Sequence, residues 1–549
     1  MTSTSPETSV RASPWFVLFI AAAVAAVTQV PFLLGERWAA DGAVFDGLVG
    51  MIDDQNMAFS FIRQAAEGHW LFVNRLTYID HEPVLFNLEW LAVGQLMSWL
   101  GGSEAGAYAA WRWMGISLVI GGFWCLAGAC GLKNFERKMA LWMCALGGGF
   151  GWLFLILERG GLIARFSPAT LDLSHAVHPF SHMFANPHLS VSHGLSLLFL
   201  AAFATGEQTA KAIWYVIAGV IGVIHGLVRP YDLILISGVI PAFILIERIA
   251  VGKWSLRKTA LRLLPLAAIA PVLGYYVALF RFHPVFKYWA SQGEVEPIGI
   301  HWQLLSFGLA GVLCLVRLGL ARRYPLKSPE RLLVVWIVVV LLLIHGKQLP
   351  GLGFMPFAPV FGVTLVSTML VLGAAALSPF KVSAGGGRGW RRPMLIAALI
   401  GVNSIGSAVW LVKITRNLAY FPDHYIGKAE HEAHLWLSGH AGESDVVLST
   451  LTSGNRMAKY VSCRFALAHW SVTPHVNELS SRVDRFYRAA MTDDEALELL
   501  RELHVRWIYA GPREEALGKF EPAELPGVAE RFANRGVRIY FVEPQKMAE

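Results

Sequence analysis

Charged residues are scarce in this chain, and their scarcity excludes a soluble fold for most of its length. Asp, Glu, Lys and Arg make up 15% of the 549 residues, whereas soluble domains carry about 25%. Apolar runs of roughly 17 to 25 residues recur along the first three quarters of the chain, and such runs are long enough to cross a membrane. The runs lack a two-residue alternation, and lipid offers the backbone no hydrogen-bond partners. Each run is therefore predicted to be a membrane-spanning α-helix.

Cysteines are also few, and the five present form no pattern that predicts a disulfide framework. Four lie in apolar runs, where a thiol packs as a small hydrophobic group. The net charge of +7 does not indicate a nucleic-acid partner, because the basic residues lie in short loops between apolar runs. In that position they indicate membrane orientation.

Eleven membrane spans are predicted from the apolar runs. They cover approximately residues 14–34, 108–131, 139–157, 189–205, 212–228, 231–247, 262–282, 300–320, 331–346, 355–377 and 394–414. The first run is too long for the apolar region of a signal peptide, so an uncleaved first helix is predicted. A shorter apolar stretch at 85–100 contains Asn87, Glu89 and Gln95, and it is predicted to be an interfacial helix on the outer surface.

The charges of the loops predict the orientation. With the N-terminus in the cytoplasm, basic residues concentrate in the cytoplasmic loops and are few in the outer loops, which is the positive-inside pattern. Counting 85–100 as a span would reverse every later loop. We therefore predict a multi-pass protein of the inner (plasma) membrane, with a cytoplasmic tail at 1–13, a transmembrane domain at 14–420 and an extracytoplasmic domain at 421–549.

The C-terminal part has more charge and shorter apolar runs, which predict a small α/β domain. A helix is predicted at Leu479–Met491, and Thr492 and Glu495 form a capping box that begins a further helix at Glu495–Leu503. The predicted strands are Val446–Ser449, Trp507–Ala510 and Val537–Val542. Because the domain has no glycine-rich phosphate motif, it is interpreted as a support or an acceptor-binding module.

The interiors of the predicted spans contain almost no ionisable residues, which argues against a transporter. Transporters keep such groups near the middle of the membrane, often on broken helices. Here polar and aromatic residues gather in the predicted outer loops and at the outer ends of helices. That distribution favours an enzyme with its site at the outer interface.

The first outer loop, 35–107, carries the adjacent carboxylates Asp53 and Asp54, followed by Asp80 and Glu82. One interpretation is that Asp53 or Asp54 caps the helix that follows, where negative charge is favourable. The other is that one of them acts as a general base or as a metal ligand facing a donor phosphate.

The second outer loop is rich in histidine, with His178, His182 and His188 beside Asn186. The spacing of His178 and His182 allows both to face a metal from one helical turn, although no third ligand is fixed by spacing. Hydrogen bonding to a sugar or phosphate and plain interfacial packing are the alternatives. No cofactor is predicted with certainty, and a divalent metal ion stays open.

A third outer junction contains Arg229 and Asp232, and Lys347 also faces outward in the predicted topology. Arg binds phosphate through its planar guanidinium. Alternatively, Arg229 extends to the interface and pairs with Asp232.

The order of these features resembles the GT-C superfamily of membrane glycosyltransferases: one span, a long outer loop with acidic residues and interfacial helices, many further spans, and an outer C-terminal domain. The stretch containing Phe45-Asp46-Gly47-Leu48, Asp54-Gln55-Asn56 and Arg63-Gln64, with Trp70-Leu71 after it, is similar to a group of bacterial GT-C-like proteins. Further segments that resemble this group are Arg229–Asp232, Asn186-Pro187-His188 and Ala468-His469-Trp470-Ser471-Val472-Thr473.

The resemblance implies an inverting glycosyltransferase that moves a sugar from a polyprenyl-phosphate donor to a hydroxyl of a lipid, glycan or protein acceptor. GT-C enzymes use an acidic residue of the first outer loop as the base, and by position Asp54 matches it, with Asp53 as the alternative. Arg229 and Lys347 are expected to stabilise the leaving phosphate. The other expected substrate-binding residues are Asp232, His178, His182, Asn186, His188 and Glu82.

One departure and one competing hypothesis accompany the resemblance. Many family members carry an Asp-Glu or Asp-x-Asp pair, whereas this chain has Asp53-Asp54. The competing hypothesis is a non-catalytic assembly or binding protein for surface polysaccharide or lipid, which would keep the architecture and tolerate loss of these carboxylates.

Overall fold

The computed structural model describes residues 14–162, 178–252, 255–291, 300–345, 362–376, 391–420, 422–518 and 521–543. Most of these residues are helical. The helices are α1 (Pro14–Trp38), α2 (Ile52–Ala66), α3 (Leu88–Trp99), α4 (Glu104–Ala129), α5 (Asn134–Leu146), α6 (Gly151–Arg159), α7 (Pro179–Ala185), α8 (Pro187–Thr209), α9 (Ala212–Val228), α10 (Tyr231–Val251), α11 (Leu256–Phe282), α12 (Phe286–Ser291), α13 (Ile300–Ser306), α14 (Gly308–Gly319), α15 (Ser328–Ile344), α16 (Leu365–Gly373), α17 (Arg391–Tyr420), α18 (Lys428–Ser438), α19 (Leu451–Met457), α20 (Val476–Tyr487), α21 (Asp493–Glu502) and α22 (Pro512–Leu517). The strands are β1 (Ala43–Phe45), β2 (Tyr425–Gly427), β3 (Val446–Leu448), β4 (Arg464–Phe465), β5 (Val505–Ala510), β6 (Val528–Ala533) and β7 (Arg538–Val542).

The long helices confirm a multi-pass membrane protein. Within the described residues, six helices are long and apolar enough to cross a membrane, namely α1, α4, α8, α10, α11 and α17. The pair α5 and α6, bent by 52°, makes a seventh span if it crosses as one. The remaining predicted spans coincide with shorter helices, α9, α13 with α14, α15 and α16. The count of eleven spans therefore stays a prediction.

The chain forms two compact units. The first, here called the helical unit, comprises the described parts of Met1–Val30, Ala110–Leu273 and Val295–Lys413. The second, here called the sheet unit, comprises Pro31–Ala109, the described part of Gly274–Glu294, and the described part of Ile414–Glu549. The boundary predicted at residue 421 between two sequential domains stays a prediction.

Buried ion pairs connect several helix ends in the helical unit. Arg262 of α11 lies 2.7 Å from Glu207 of α8 and 3.1 Å from Glu247 of α10. Glu247 also pairs with Arg331 of α15 at 2.5 Å. Removing one partner would leave an uncompensated buried charge. The contacting ends of α8, α10, α11 and α15 therefore lie together, and the predicted cytoplasmic location of the loops beside them stays a prediction.

The sheet unit contains a small mixed sheet, which confirms the predicted α/β domain. The strand order is β4-β3-β5-β7-β6, with β4, β3 and β5 parallel and with β7 antiparallel to β5 and β6. The predicted strands correspond to β3, β5 and β7, and the predicted helices correspond to α20 and α21. The capping box is present, since Thr492 Oγ1 accepts from the Glu495 amide at 3.3 Å. The sequence did not predict β4, β6 or the ribbon that β1 and β2 form.

The order of the parallel strands creates a crevice in the sheet unit. β3 lies between β4 and β5, so the carboxyl ends of β3 and β5 are adjacent at one edge of the sheet. The chain leaves β3 through α19 toward β4, and it leaves β5 through α22 toward the other side. Open α/β sheets bind ligands where neighbouring connections diverge in this way.

The stretch at 85–100 contains one short helix, α3, which packs on α2. A Cβ atom at Gly94 would lie 2.4 Å from the Ile62 carbonyl oxygen, so this close approach requires glycine. Phe61 stacks on Trp90 with ring centroids 4.5 Å apart, and Gln95 donates to the Ala65 carbonyl at 2.9 Å. With 12 residues α3 is too short to span a membrane. Its predicted place at the membrane surface stays a prediction.

Burial of His434 predicts acid sensitivity of the sheet unit. His434 of α18 is 1% exposed, and neither ring nitrogen has a hydrogen-bond partner among the described residues. Burial, followed by the nearby His431 and Arg456, lowers the pKa of His434 to about 3, from about 6.5 in an unfolded chain. Between these values the unfolded state binds more protons, so stability falls as the pH falls. We expect the thermal unfolding midpoint to drop from neutral pH toward about pH 4, and the drop to be smaller in His434→Leu.

His440→Leu is the matched control, because His440 follows the same helix and is exposed. The control should keep the acid sensitivity of the wild type. Equal acid sensitivity of His434→Leu and the wild type would contradict the assignment.

Candidate active site

The adjacent carboxylates Asp53 and Asp54 lie in the first turn of α2. The residue before the helix is Met51, in the left-handed conformation with φ 49° and ψ 47° and without a capping side-chain hydrogen bond. The interpretation of Asp53 or Asp54 as the N-cap is therefore wrong. Both carboxylates still lie near the positive end of the helix dipole. A left-handed non-glycine residue costs about 1–2 kcal/mol, and such strain concentrates at functional sites.

Two asparagines fix this turn against α19. The Asn455 side chain donates to the Asp53 carbonyl at 3.1 Å, and Asn56 donates to the Asn455 side-chain oxygen at 3.0 Å. Both asparagines are buried. Because buried amides are costly to leave unpaired, these contacts hold the backbone beside Asp53 in one position.

A buried ion pair anchors the chain that leads into α2. Lys459 lies 3.0 Å from Asp46 Oδ1, and the two residues are 4% and 6% exposed. Tyr460 donates a further hydrogen bond to the same carboxylate. Asp46 belongs to the Phe45–Leu48 stretch that carries part of the family resemblance, and its carboxylate is occupied by these contacts. Asp46 thus has a structural role.

Asp53 and Asp54 open onto a cavity of ≈ 540 Å³ in the sheet unit. Its size is that of a small-molecule site. The cavity is lined by Val49, Gly50, Met51, Ile52, Asp53, Asp54, Asn417, Asp423, His424, Thr452, Arg456, Trp470 and Arg513. A smaller cavity of ≈ 40 Å³ also touches Asp53 and Trp470 and reaches His469 and Asn455.

His469 approaches Asp54 from the segment after β4. Its ring is 1% exposed, and its Nδ1 accepts from the Ser471 amide at 3.1 Å. A neutral ring that accepts at Nδ1 carries its proton on Nε2, which lies 3.5 Å from Asp54 Oδ1. In this tautomer the proton is on the nitrogen that neighbours Asp54, although Nε2 has no hydrogen-bond partner within the described residues.

The environment of Asp53 increases its affinity for a proton. Burial raises the pKa of Asp53, and the negative charges of Asp54 and Asp423 raise it further, while His469 lowers it. Asp53 therefore retains its proton to a higher pH than an isolated aspartate does.

Two arginines line the same cavity, and both lie at the edge of the sheet where the connections from β3 and β5 diverge. Arg456 lies on α19 and Arg513 on α22, so they follow β3 and β5. Both approach the exposed carboxylate of Asp423, at 3.3 Å and 3.4 Å. Arg456 also donates to the Tyr425 carbonyl at 3.1 Å. The cavity thus combines carboxylates with guanidinium groups at neighbouring positions.

Arg229 and Asp232 form a buried network in the helical unit. Arg229 is 3% exposed and lies 3.0 Å from Asp232. His225 lies 2.9 Å from the same carboxylate, and Ser192 donates to it at 2.6 Å. The 3.0 Å contact agrees with the interpretation in which Arg229 pairs with Asp232.

The histidines of the second loop are distributed over different contacts. The Nε2 of His178 lies 2.6 Å from the Ser306 carbonyl, and the Nδ1 of His182 lies 3.3 Å from His193. Asn186 caps α8 by accepting from the His188 amide at 3.0 Å.

The predicted binding residue Glu82 lies apart from the cavity. Glu82 is exposed and is not among the residues that line the cavity. Lys347 lies outside the described residues, as do 175–177 of the histidine-rich loop.

The carboxylates of the cavity do not converge on a metal. Within the described ranges, the one group of three ligand-type side chains that converges is Glu67, His69 and Glu443. Arg75 lies 3.0 Å from Glu67 and 2.9 Å from Glu443, so its guanidinium group already neutralises these carboxylates.

Sequence reasoning assigned no role to several residues of the cavity. Residues 468–473 belong to the family resemblance, but the pattern predicts no role in the site for His469 or Trp470. Arg456 and Arg513 follow the parallel strands β3 and β5, and residues at that position often bind ligands. Recognising this from sequence requires the order of the strands in the sheet, and β4 is too short to be predicted from its sequence.

Solved structures that share this fold include the following three. The archaeal oligosaccharyltransferase AglB from Archaeoglobus fulgidus, in complex with an inhibitory peptide and a dolichol-phosphate, matches with a TM-score of 0.56 at 12% identity, covering 97% of this chain and 75% of that one. Arabinofuranosyltransferase AftD from Mycobacteria matches with 0.57 at 16% identity, covering 96% and 40%. ArnT from Cupriavidus metallidurans, bound to undecaprenyl phosphate, matches with 0.52 at 12% identity, covering 96% and 98%.

The structural matches show that the chain has the fold of the GT-C membrane glycosyltransferases, which confirms the predicted fold class. No model of a protein family and no curated protein matches the sequence. Since a fold does not determine an activity, function has to be argued from the site.

The anchoring ion pair gives a testable prediction. Lys459→Met leaves the buried Asp46 carboxylate without its cation, and we expect a loss of about 3–5 kcal/mol in unfolding free energy. The double variant Asp46→Asn/Lys459→Met should recover part of that loss, which a double-mutant cycle in chemical denaturation measures. The exposed Lys428→Met is the control and should be near neutral. Strictly additive effects of the two substitutions would show that the pair is not coupled.

Proposed function

We propose that this protein is an inverting glycosyltransferase that moves a sugar from a polyprenyl-phosphate donor to a hydroxyl acceptor. The observation that carries the proposal is the placement of Asp54 and Asp53 at a cavity, with the Nε2 of the buried His469 3.5 Å from Asp54 Oδ1. Structures that share the fold include one in complex with a dolichol-phosphate and one bound to undecaprenyl phosphate, which supports a lipid-linked donor.

The reaction needs one displacement. Asp54 accepts the proton of the acceptor hydroxyl, and the acceptor oxygen forms a bond to the anomeric carbon. The bond from that carbon to the phosphate oxygen breaks, and the lipid phosphate departs with the bonding electrons. Because attack and departure occur on opposite sides, the anomeric configuration is inverted. Asp53 is the alternative base, and its raised pKa makes it the stronger proton acceptor if it has that role.

His469 is proposed as a positioning residue. Its Nε2 lies 3.5 Å from Asp54 Oδ1, and a hydrogen bond between the two atoms would restrict the orientation of the carboxylate. The Ser471 amide fixes the tautomer through Nδ1, as second partners of functional histidines do. The base would therefore be held in one rotamer before the acceptor arrives.

The donor side of the reaction remains a sequence-based proposal. Arg229 is proposed to stabilise the developing charge of the leaving phosphate, and such binding would have to compete with its contact to Asp232. Lys347, outside the described residues, is proposed for the same role. The enzyme would act in the inner membrane with the C-terminal domain on the extracytoplasmic side.

The first test is Asp54→Asn, which keeps the shape of the side chain and removes the base. We expect transfer to fall by about 10²–10⁴-fold while the unfolding midpoint is unchanged. The measurement uses purified protein in nanodiscs with a panel of polyprenyl-phosphate sugars and follows release of free polyprenyl phosphate.

Asp41→Asn serves as the control, because Asp41 is an exposed aspartate of the same loop that does not line the cavity. Asp53→Asn is measured in parallel to decide between the two carboxylates. Turnover unchanged in both Asp53→Asn and Asp54→Asn would remove the proposed base. Absence of donor binding and of lipid-phosphate release in the wild type would favour the binding or assembly protein.

The second test separates positioning from substrate binding. His469→Phe keeps an aromatic ring beneath Trp470 and removes the Nε2 donor, so kcat should fall about tenfold with little change in KM. His469→Gln places an amide nitrogen near the position of Nε2 and should recover most of the rate. A change in KM alone, or failure of Gln to exceed Phe, would contradict the assigned role.

A further inference from the structure

Trp470 is exposed in a segment that is otherwise buried. Its side chain is 42% exposed, while His469 and Val472 on either side are 1% and 0% exposed. The backbone around it is fixed, since the Thr473 amide donates to the His469 carbonyl at 3.1 Å and the Ser471 amide donates to the His469 ring. The fold therefore holds a large apolar side chain in an accessible place, although burying it would be favourable.

The indole is held by stacking as well as by the backbone. Its ring lies 5.7 Å from the His469 ring, at an angle of 26°. Trp470 lines both the large cavity and the small cavity, and Asp53 lines both with it. The accessible part of the indole thus belongs to the cavity that contains the proposed base, and the stacked ring does not need to be ordered when a ligand binds.

Eight of the other twelve lining residues carry hydrogen-bonding side chains, and the remaining four are Val49, Gly50, Met51 and Ile52. The eight provide carboxylates, guanidinium groups, an imidazole, an amide and a hydroxyl: Asp53, Asp54, Asp423, Arg456, Arg513, His424, Asn417 and Thr452. A lipid chain would leave these groups without partners, which is costly. A peptide backbone would satisfy some of them, but it offers no flat apolar face to the indole.

A sugar ring has both kinds of surface. Its hydroxyls donate to carboxylates and accept from guanidinium and amide groups. One face presents C–H bonds with partial positive charge, which suits the negative face of an indole. The cavity volume of ≈ 540 Å³ lies within the range of small-ligand sites of about 300–1,000 Å³.

We infer that this cavity is the acceptor subsite and that it binds a saccharide, with Trp470 as the stacking platform. The inference rests on the proposed glycosyl transfer and narrows its acceptor class to a glycan. Asp53, Arg456 and Arg513 bind hydroxyls of the acceptor sugar, and Asp54 contacts the hydroxyl that reacts.

The test measures binding of acceptor alone, so that it does not depend on turnover. Full-length protein in nanodiscs is titrated with a panel of oligosaccharides by isothermal calorimetry, with no donor present. Soluble peptides and short-chain lipid alcohols form the other two arms. We expect saccharide binding that weakens about tenfold in Trp470→Ala and is retained in part by Trp470→Phe, because a phenyl ring still stacks.

Trp99→Ala is the matched control, since Trp99 is 82% exposed in the same unit and does not line the cavity. It should bind saccharide as the wild type does.

The outcomes separate this inference from the proposed function. Transfer to a peptide or lipid acceptor without saccharide binding would overturn the saccharide subsite and leave the glycosyltransferase standing. Saccharide binding that is lost in Trp470→Ala, in a protein that performs no transfer, would support the subsite and overturn the proposed activity. Saccharide binding that Trp470→Ala leaves intact would overturn the role of Trp470 and, with it, the assignment of the subsite.

Discussion

The candidate site depends on the buried ion pair between Asp46 and Lys459. The two residues are 413 positions apart in the chain, and their contact holds the segment before α2 against the segment that follows α19. Either charge alone would be left in a buried position at a cost of several kcal/mol. Asn56 and Asn455 continue the same junction into the first turn of α2. Asp53 and Asp54 therefore face His469 and Trp470 because two distant parts of the sequence are joined by desolvated polar contacts.

Much of the fold could be predicted from the sequence, because lipid imposes a strict rule on the backbone. Apolar runs in a membrane must satisfy their own hydrogen bonds, so each run becomes a helix. The positions of α1, α4, α8, α10 and α11 follow from that rule. The Thr492 capping box and strands β3, β5 and β7 were also predicted, since each has a local signature. The two-residue β4 and the β1–β2 ribbon have none, because they form only through pairing with distant strands.

The site could be predicted only in part, for the same physical reason. Adjacent aspartates in the first long loop are visible as a pattern, and the family resemblance selects Asp54 among them. The contribution of His469, Arg456 and Arg513 arises from strand order, and strand order is set by contacts across the chain. Met51 illustrates the limit: its left-handed backbone places the carboxylates in the first turn. The sequence pattern alone allowed the interpretation that Asp53 or Asp54 is the N-cap.

These contacts make the C-terminal domain a part of the candidate site. A pure support would bury Trp470 and pair the arginines away from the cavity. Instead, the loops that leave β3 and β5 carry Thr452 and Arg513 to the cavity that Asp54 lines, at the edge where parallel sheets expose their ligand sites. The first loop supplies Asp53 and Asp54, and the C-terminal part supplies Asp423, Arg456, Arg513 and Trp470. Because the cationic and aromatic groups of the cavity lining all belong to the C-terminal part, substitutions there could change acceptor binding while the proposed base stays in place.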